Sequence, residues 1–284
     1  MPKVKIVTDS TAYLRAETIA RYDIRVVPLK VAFGAEVYSE EVDITNEEFY
    51  RRLAKSSTLP TTSQPPVSDF IQVYSELASL GHPILSIHIS GKLSGTINSA
   101  LAARNALPQA QIEIVDSQSV AMGLLISRAA EAAEEGQTLS QIKALTEKLI
   151  TRMNVVAVID TLKYLWKGGR IGGAVALVGT LLKIKPVLTF EDGEVKVLAK
   201  ARTANRATDC LLDFMKKRTR GSNSIHAAVV HTHAFDKASA LEKEVLAGFK
   251  CVEFYLIELG PVLGTHIGPG TLGLAFYTDE QSMH

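Results

Sequence analysis

Residues 85–107, LSIHISGKLSGTINSALAARNAL, decide the fold class of this chain. The stretch begins with apolar residues at alternate positions as far as Ile89, a pattern that indicates a strand. A glycine- and serine-rich turn over 90–95 follows, and small residues from Thr96 onward then indicate a helix. Strand, turn and helix in this order are typical of α/β proteins, in which a helix N-terminus often holds an anion.

The same alternation of strands and helices continues on both sides of this stretch. We predict strands at about 3–8, 24–33, 84–89, 111–115, 154–159, 185–190, 194–199, 225–231, 250–257 and 271–277. We predict helices at 45–55, where Thr45 and Glu48 suggest a capping box, and at 67–80, 96–107, 119–135, 138–151, 203–218 and 235–247.

This order of elements predicts an α/β protein of two domains. The regular alternation in the first half favours a mostly parallel sheet with helices on both faces. In the second half, Asp192-Gly193 lies between two apolar runs, which predicts a hairpin and therefore a mixed sheet with helices. We place the domains at residues 1–153 and 154–284.

Composition limits the classes of function. The chain has 284 residues, of which 46% are hydrophobic, and a formal net charge of +1, so no overall field would attract nucleic acid or an acidic membrane. Its most apolar segment, residues 171–182, is far shorter than the ~20 residues of a membrane span. Cys210 and Cys251 lack metal or redox spacing. No signal peptide precedes the first strand pattern, so we expect a cytoplasmic protein.

Two stretches contain residues of nucleotide-binding motifs, but the residues or elements around them do not fit such a site. Residues 268–273 read GPGTLG, yet a strand rather than a helix is expected after them. Gly91-Lys92 resembles the end of a P-loop, but Leu93 stands where a magnesium-binding hydroxyl is required. We therefore predict that the chain does not itself bind and cleave ATP.

Nucleophile and metal motifs are similarly incomplete. In GKLSG (91–95) the serine lies one place later than in the hydrolase elbow G-x-S-x-G, although histidines for a serine hydrolase are available elsewhere. His231 and His233 would share one face of an extended strand, with Asp236 nearby. Two histidines without an evident third ligand are more often structural, so we predict no metal site.

Several loops nevertheless offer groups that bind anions. Asp9-Ser10-Thr11 closes the first strand, where it can cap a helix and also lie on the ligand-binding rim. Arg170 stands between paired glycines (168–173), and Arg202 lies in ARTANRA (201–207), so each could meet an anion or a partner.

Neutral donors are the most consistent feature of these loops. Thr62 and Ser63 lie in a proline-stiffened loop, Ser94 precedes the helix at 96–107, and His266 lies in a second glycine-rich turn, GPVLGTHIGPG. Few lysines or arginines surround them, whereas a site for a polyphosphate would require a cluster of these residues. Hydroxyl and backbone N–H donors at a helix N-terminus suit a monoanion such as a carboxylate.

With these motifs in order, the chain resembles the DegV family of fatty-acid-binding proteins along nearly its whole length. The resemblance rests on VTDSTAYL (7–14), PTTSQP (60–65), ISGKLSGTINSA (89–100), IVDSQSVAMGLL (114–125), LKYLWKGGRIGG (162–173), KIKPVL (183–188), ARTANRA (201–207) and LGPVLGTHIGPGTLGLAF (259–276). It implies the two-domain DegV fold with one long-chain fatty acid between the domains, its tail in an apolar tunnel. It further implies a bacterial lipid-binding partner of a separate, ATP-dependent fatty acid kinase, which forms acyl phosphate for phospholipid synthesis.

By motif position, the resemblance assigns the carboxylate to Thr62, Ser63, Ser94, Gly95 and His266, and assigns kinase docking to Arg170 and Arg202. It implies no catalysis, no metal and no cofactor in this chain. One departure is Ser90-Gly91-Lys92, where the family often has two serines, which leaves the role of Ser90 open.

Two other functions stay open on the sequence alone. The first is a lipid esterase that uses Ser94 and His266. The second rests on a distant likeness to the substrate-binding subunit of dihydroxyacetone kinases, in which a histidine would anchor a carbonyl substrate covalently. Likeness of fold alone is a weak argument for function.

Overall fold

A computed structural model of the protein describes residues 2–177 and 184–279. Its strands are β1 (Lys5–Asp9), β2 (Arg25–Val27), β3 (Lys30–Phe33), β4 (Glu36–Ser39), β5 (Thr61–Ser63), β6 (Ile84–His88), β7 (Ile112–Asp116), β8 (Asn154–Val158), β9 (Lys185–Glu191), β10 (Glu194–Ala201), β11 (Ile225–His231), β12 (Cys251–Glu258) and β13 (Leu272–Thr278). Its helices are α1 (Ala16–Tyr22), α2 (Asn46–Lys55), α3 (Val67–Ser79), α4 (Thr96–Asn105), α5 (Gly123–Glu134), α6 (Leu139–Ile150), α7 (Lys163–Lys167), α8 (Ala204–Thr219), α9 (Phe235–Gly248) and α10 (Pro261–Ile267), with 3₁₀ helices at Ser10–Ala12 and Gly172–Leu177.

The predicted helices and strands are present, but one predicted strand is divided and several short elements are additional. The predicted strand 24–33 is two strands, β2 and β3, separated around Pro28, which has no N–H to donate to a ladder. The short elements α1, β4, β5, α7 and α10 were not predicted. Of the apolar segment 171–182, Gly172–Leu177 forms a 3₁₀ helix, and residues 178–183 lie outside the described ranges.

The chain forms two compact units that are not continuous in sequence. Unit 1 contains the residues up to Ile44 together with Thr62–Thr151. Unit 2 contains Thr45–Thr61 together with the residues from Arg152 onward. The domain limits that we predicted, 1–153 and 154–284, thus differ from the compact units in the placement of α2 and the loop after it.

Unit 1 is built on a parallel sheet of order β2-β1-β6-β7. On one face, alternate strand residues such as Val7 and Ile84 pack with Phe70 and Tyr74 of α3 and with Ala100 of α4. Helices α5 and α6 contact β1, β6 and β7 but are absent from that cluster, so they cover the other face. A second, three-stranded sheet has the order β4-β3-β5. The predicted parallel architecture is confirmed.

Unit 2 is built on a six-stranded mixed sheet of order β10-β9-β8-β13-β11-β12. Only β11 and β12 pair in parallel, and the other neighbours are antiparallel. The predicted hairpin is present between β9 and β10, and Asp192 and Gly193 both have positive φ, at 52° and 78°. A two-residue hairpin turn whose twist matches that of its flanking strands requires positive φ at both positions. Helices α8 and α9 pack on one face of the sheet through Leu211, Met215 and Leu241.

The helix ends show which capping signals operate. Thr45 accepts a hydrogen bond from the Glu48 N–H (3.2 Å), but the Glu48 carboxylate pairs with Arg51 instead of closing the predicted capping box. A complete capping box does occur at the start of α6, between Thr138 and Gln141. Within the described ranges, every helix is too short or too polar to cross a membrane.

Candidate anion site

The candidate anion site of unit 1 is the turn between β6 and α4. The N–H groups of Leu93 and Ser94 both donate to the carbonyl of Ser90, at 2.9 and 3.1 Å, which curls the chain toward the helix. The Ser94 hydroxyl then lies 2.9 Å from the Thr96 hydroxyl and accepts from the Thr96 N–H at 3.3 Å. Ser94 is half-buried. The turn therefore holds a serine hydroxyl beside the N-terminus of a helix, where a negative charge is favoured.

Gly95 is the residue that precedes α4, and the Gln64 side chain lies directly against it. A methyl group built on Gly95 would lie 1.8 Å from Gln64 Oε1. Gln64 Nε2 also donates to the Ser99 hydroxyl, at 2.8 Å, one turn into the helix. Gln64 follows β5, which carries Thr62 and Ser63, so this contact brings the hydroxyl-bearing strand to the start of α4. In the sequence, Gln64 stands in the PTTSQP motif (60–65), and nothing in its spacing predicted the contact.

Asp9 fixes the sheet edge beneath this turn. Its Oδ2 accepts the Ile89 N–H at 3.1 Å and the Nδ1–H of His88 at 3.0 Å, while Oδ1 accepts the Thr11 N–H at 3.1 Å. Asp9, Thr11 and His88 have no exposed surface. The predicted cap at Asp9 is confirmed, and its carboxylate also positions the end of β6. Because it is buried and fully engaged, the side chain is a support for the rim and does not contact solvent there.

Ser86 continues this buried network away from the rim. Since the Asp9 carboxylate can only accept, His88 Nδ1 carries the proton, and His88 Nε2 accepts from the Ser86 hydroxyl at 2.7 Å. Ser86 in turn accepts from the Tyr74 hydroxyl at 2.8 Å, and burial raises the pKa of that tyrosine. This Ser–His–Asp chain has the residue types of a hydrolase triad, yet all three members are 0% exposed. A substrate could not reach the serine, so the network is structural.

Ser90 has a structural role as well. Its N–H donates to the carbonyl of Ser119 at 3.1 Å, and its hydroxyl accepts the Lys92 N–H at 3.3 Å. Asp116, at the end of β7, accepts the Gly91 N–H at 3.0 Å and so joins the same turn to the neighbouring strand. The side chain of Ser90 is buried. Ser90 therefore stabilises this turn from its buried side, which is the role that the sequence left open.

A separate group of predicted site residues lies in unit 2, around His266. We expected His266 in a glycine-rich turn, and that expectation is wrong: it lies in the last turn of α10, which begins at Pro261 and ends at Ile267. A methyl group on Gly168 would lie 2.4 Å from His266 Nδ1, so the imidazole packs directly on that glycine. In the same way, a methyl group on Gly268 would lie 2.3 Å from the ring of Tyr164. Gly168 and Gly268 therefore allow close packing between α7 and α10.

The electrostatic setting keeps His266 neutral. Burial, with a smaller effect from the charge of Arg170, lowers the pKa of His266 from 6.5 to about 4. At neutral pH the imidazole therefore offers one N–H donor and one acceptor. Arg170 is exposed, and its guanidinium donates to the carbonyl of Gly168 at 2.7 Å. The structure thus places Arg170 near His266, while Arg202 is exposed between β10 and α8.

His231 and His233 do not share one face of a strand. The strand ends at His231, and His233 lies beyond it with a positive φ of 47°, so the two do not alternate along one strand as we expected. His231 is buried and accepts the Ala234 N–H at 3.4 Å, whereas His233 stacks on Tyr50. Across the residues that the structure describes, no three metal-binding side chains come together. The GPGTLG motif leads into β13 rather than a helix, which agrees with rejecting a dinucleotide site.

Comparison with known proteins decides the family. The sequence profile of a family described as an uncharacterised protein of the DegV family matches residues 3–279. The chain belongs to the DegV family. A DegV domain-containing protein of Halalkalibacterium halodurans is 37% identical to this DegV protein over 283 residues, which are 99% of this chain and 100% of the relative.

Solved DegV structures have the same fold. A fatty-acid-binding DegV family protein from Thermus thermophilus is 38% identical, with a TM-score of 0.93 over 98% of this chain and 100% of its own. A stearic-acid-binding protein from Eubacterium ventriosum is 28% identical, with a TM-score of 0.90 over 98% of each chain. These likenesses confirm the predicted family and the two-part α/β fold.

Proposed function

We propose that this DegV protein binds a long-chain fatty acid. The observation that carries the proposal is the likeness, over nearly the whole chain, to a Thermus thermophilus relative that binds fatty acid. The site geometry supports it, because hydroxyl groups gather at a helix N-terminus within unit 1. The proposal includes no cofactor, as the family resemblance implied.

The proposed carboxylate donors are neutral groups. Thr62, Ser63, Ser94 and the Gly95 N–H contribute from unit 1, and His266 contributes from unit 2. A carboxylate that accepts several hydrogen bonds is stabilised in its charged form without a neighbouring cation. The lowered pKa of His266 is consistent with this set, because a neutral imidazole can donate one N–H to the ligand.

In this proposal the acyl tail supplies the affinity. Each buried CH₂ contributes roughly 0.8 kcal/mol, so a chain of about sixteen carbons can bind tightly through burial alone. The carboxylate donors then orient the ligand. That an apolar tunnel between the two domains holds the tail remains part of the proposal.

We further propose that the chain does not act on the fatty acid itself. A separate ATP-dependent kinase subunit would phosphorylate the carboxylate, and Arg170 and Arg202 would contact that subunit in the cytoplasm. The resulting acyl phosphate would enter phospholipid synthesis. The esterase alternative gains no support in unit 1, where the Ser94 hydroxyl pairs with the Thr96 hydroxyl and the Ser–His–Asp chain is buried.

Binding is tested by calorimetry with delipidated protein and three probes: stearate, methyl stearate and stearyl alcohol. We expect stearate to bind most tightly, because it alone brings a carboxylate. Ser94→Ala should weaken stearate binding about tenfold or more, the usual effect of losing a hydrogen bond to a charged group. Ser140→Ala, an exposed serine of α6, is the matched control. Equal affinity for all three probes would contradict the proposed carboxylate site.

Kinase docking is tested separately. Arg202→Ala should leave stearate affinity unchanged and slow phosphorylation by a fatty acid kinase ATP-binding subunit, while Lys243→Ala, an exposed change on α9, should alter neither. Equal losses in both assays for Arg202→Ala would contradict a docking role. Turnover of a chromogenic acyl ester that Ser94→Ala abolishes would instead support the esterase.

A further inference from the structure

We propose that Gln64 is a positioning residue of the anion site, and that its amide group fixes the strand bearing Thr62 and Ser63 against the first turn of α4. This inference rests on the proposed binding of a fatty acid. It concerns a residue that is not itself among the proposed carboxylate donors. Its role is to set the distance between two groups of donors that come from separate parts of the sequence.

The Gln64 amide lies where a side chain at position 95 would be, so any larger residue there would have to displace it. The backbone of Gly95 has φ −75° and ψ 7°, angles that every residue type can adopt. The backbone therefore does not require glycine here. A methyl group at this position would, however, lie 1.8 Å from Oε1 and 2.7 Å from Cδ of Gln64. Glycine at position 95 therefore leaves room for the Gln64 amide, which a side chain there would displace.

The amide end of the Gln64 side chain is held by a hydrogen bond, and the following proline restricts its backbone. Gln64 precedes Pro65, and a residue before proline is restricted to an extended backbone, which limits where its side chain can point. At the other end, Nε2 donates to the hydroxyl of Ser99, which is 2% exposed. Although Gln64 is exposed, the hydrogen bond to a buried acceptor holds its amide across the start of α4. The hydroxyls of Thr62 and Ser63 are positioned from that fixed point.

A double-mutant cycle tests the pairing. Gln64→Ala should weaken binding of stearate about three- to tenfold, the range expected for one hydrogen bond and its alignment. Gly95→Ala should weaken it similarly, because the new methyl displaces the amide. The double variant should bind within about twofold of Gly95→Ala, since the amide is already displaced. Additive losses would overturn the proposal. Gln72→Ala, an exposed change on α3, is the control.

A second readout separates positioning from loss of structure. We would record the ¹³C resonance of stearate labelled at its carboxyl carbon, bound to each variant, as a function of pH. Gln64→Ala should move the resonance and raise the midpoint of its titration, because misaligned donors stabilise the carboxylate less. Gln64→Met keeps the length of the side chain but cannot donate, so it should give the same change even if Gln64→Ala folds poorly.

The two proposals fail in different ways. If the wild-type protein binds no stearate, the proposed function is wrong. If the wild-type protein binds stearate, and both Gln64→Ala and Gln64→Met bind it equally well with an unchanged resonance, only the role of Gln64 is wrong.

Discussion

His266 gives a pH dependence of stability that can be worked out from the structure. Burial and Arg170 lower its pKa from 6.5 to about 4 in the folded chain, while the unfolded chain keeps the ordinary value. Between these pH values the unfolded state binds the proton and the folded state does not. Stability is therefore fully present above pH 6.5 and is lost as the pH falls toward 4.

The size of this effect follows from proton linkage. A pKa difference of this size removes about 2 kcal/mol of unfolding free energy by pH 5 and about 3 kcal/mol by pH 4. His266→Gln removes the titrating group. The free-energy difference between the wild type and His266→Gln should therefore shrink by about 2 kcal/mol between pH 7 and pH 5. Acid-sensitive groups elsewhere affect both proteins equally and cancel.

Urea unfolding of delipidated protein measures this difference. Trp166 is the single tryptophan of the chain and lies on α7, beside Gly168 on which the imidazole packs, so its fluorescence reports on the relevant unit. Arg170→Gln removes the smaller of the two causes of the shift and should reduce the pH-dependent loss without abolishing it. Parallel stability curves for the wild type and His266→Gln from pH 7 to pH 5 would show that His266 does not carry this pH dependence.

Three further substitutions test the packing around the site. Gly168→Ala should lower the unfolding free energy by roughly 1–3 kcal/mol, because the methyl meets His266 Nδ1, and Gly248→Ala, with open space around it, should not; thermal melts compare them. Asp9→Asn should cost about 2 kcal/mol in urea unfolding, since the charged partner of the buried His88 is lost, and an unchanged midpoint would contradict this role. Tyr74→Phe removes one buried hydrogen bond and should cost about 1 kcal/mol by the same measurement, so a gain in stability would contradict the network.

The sequence predicted the turn between β6 and α4 because its signals are local. Alternating apolar residues specify β6, glycine and serine specify the turn after it, and small residues from Thr96 specify the helix. The same holds for the hairpin at Asp192-Gly193, where two adjacent residues determine the turn. Such features need no knowledge of the rest of the chain.

The helix that carries His266 could not be predicted in this way. Its sequence, PVLGTHI, is flanked by glycines and reads as a turn, and tertiary contacts make it a helix. Gly264 lies so close to Phe49 and Tyr50 of α2 that a methyl there would be 2.7 and 2.8 Å from them. Thr45–Thr61 belongs to unit 2 because of such long-range contacts, which no local sequence pattern encodes.

The contact of Gln64 with Gly95 could not be predicted from the sequence for a related reason. Strand β5 has three residues, too few for an alternation of apolar and polar positions to be visible. The amide of Gln64 meets α4 across a long sequence separation, and glycine at position 95 resembles any other turn glycine. Only the distance between the two residues shows that a side chain there would meet the Gln64 amide.

Fatty acid binding is tested most simply by native mass spectrometry of the protein purified from its own cells. We predict a mass increment equal to one long-chain fatty acid per chain, released on denaturation and identified in the extract. Delipidated protein should regain one equivalent of stearate. A protein that carries no lipid and also fails to take up added stearate would contradict the proposed function.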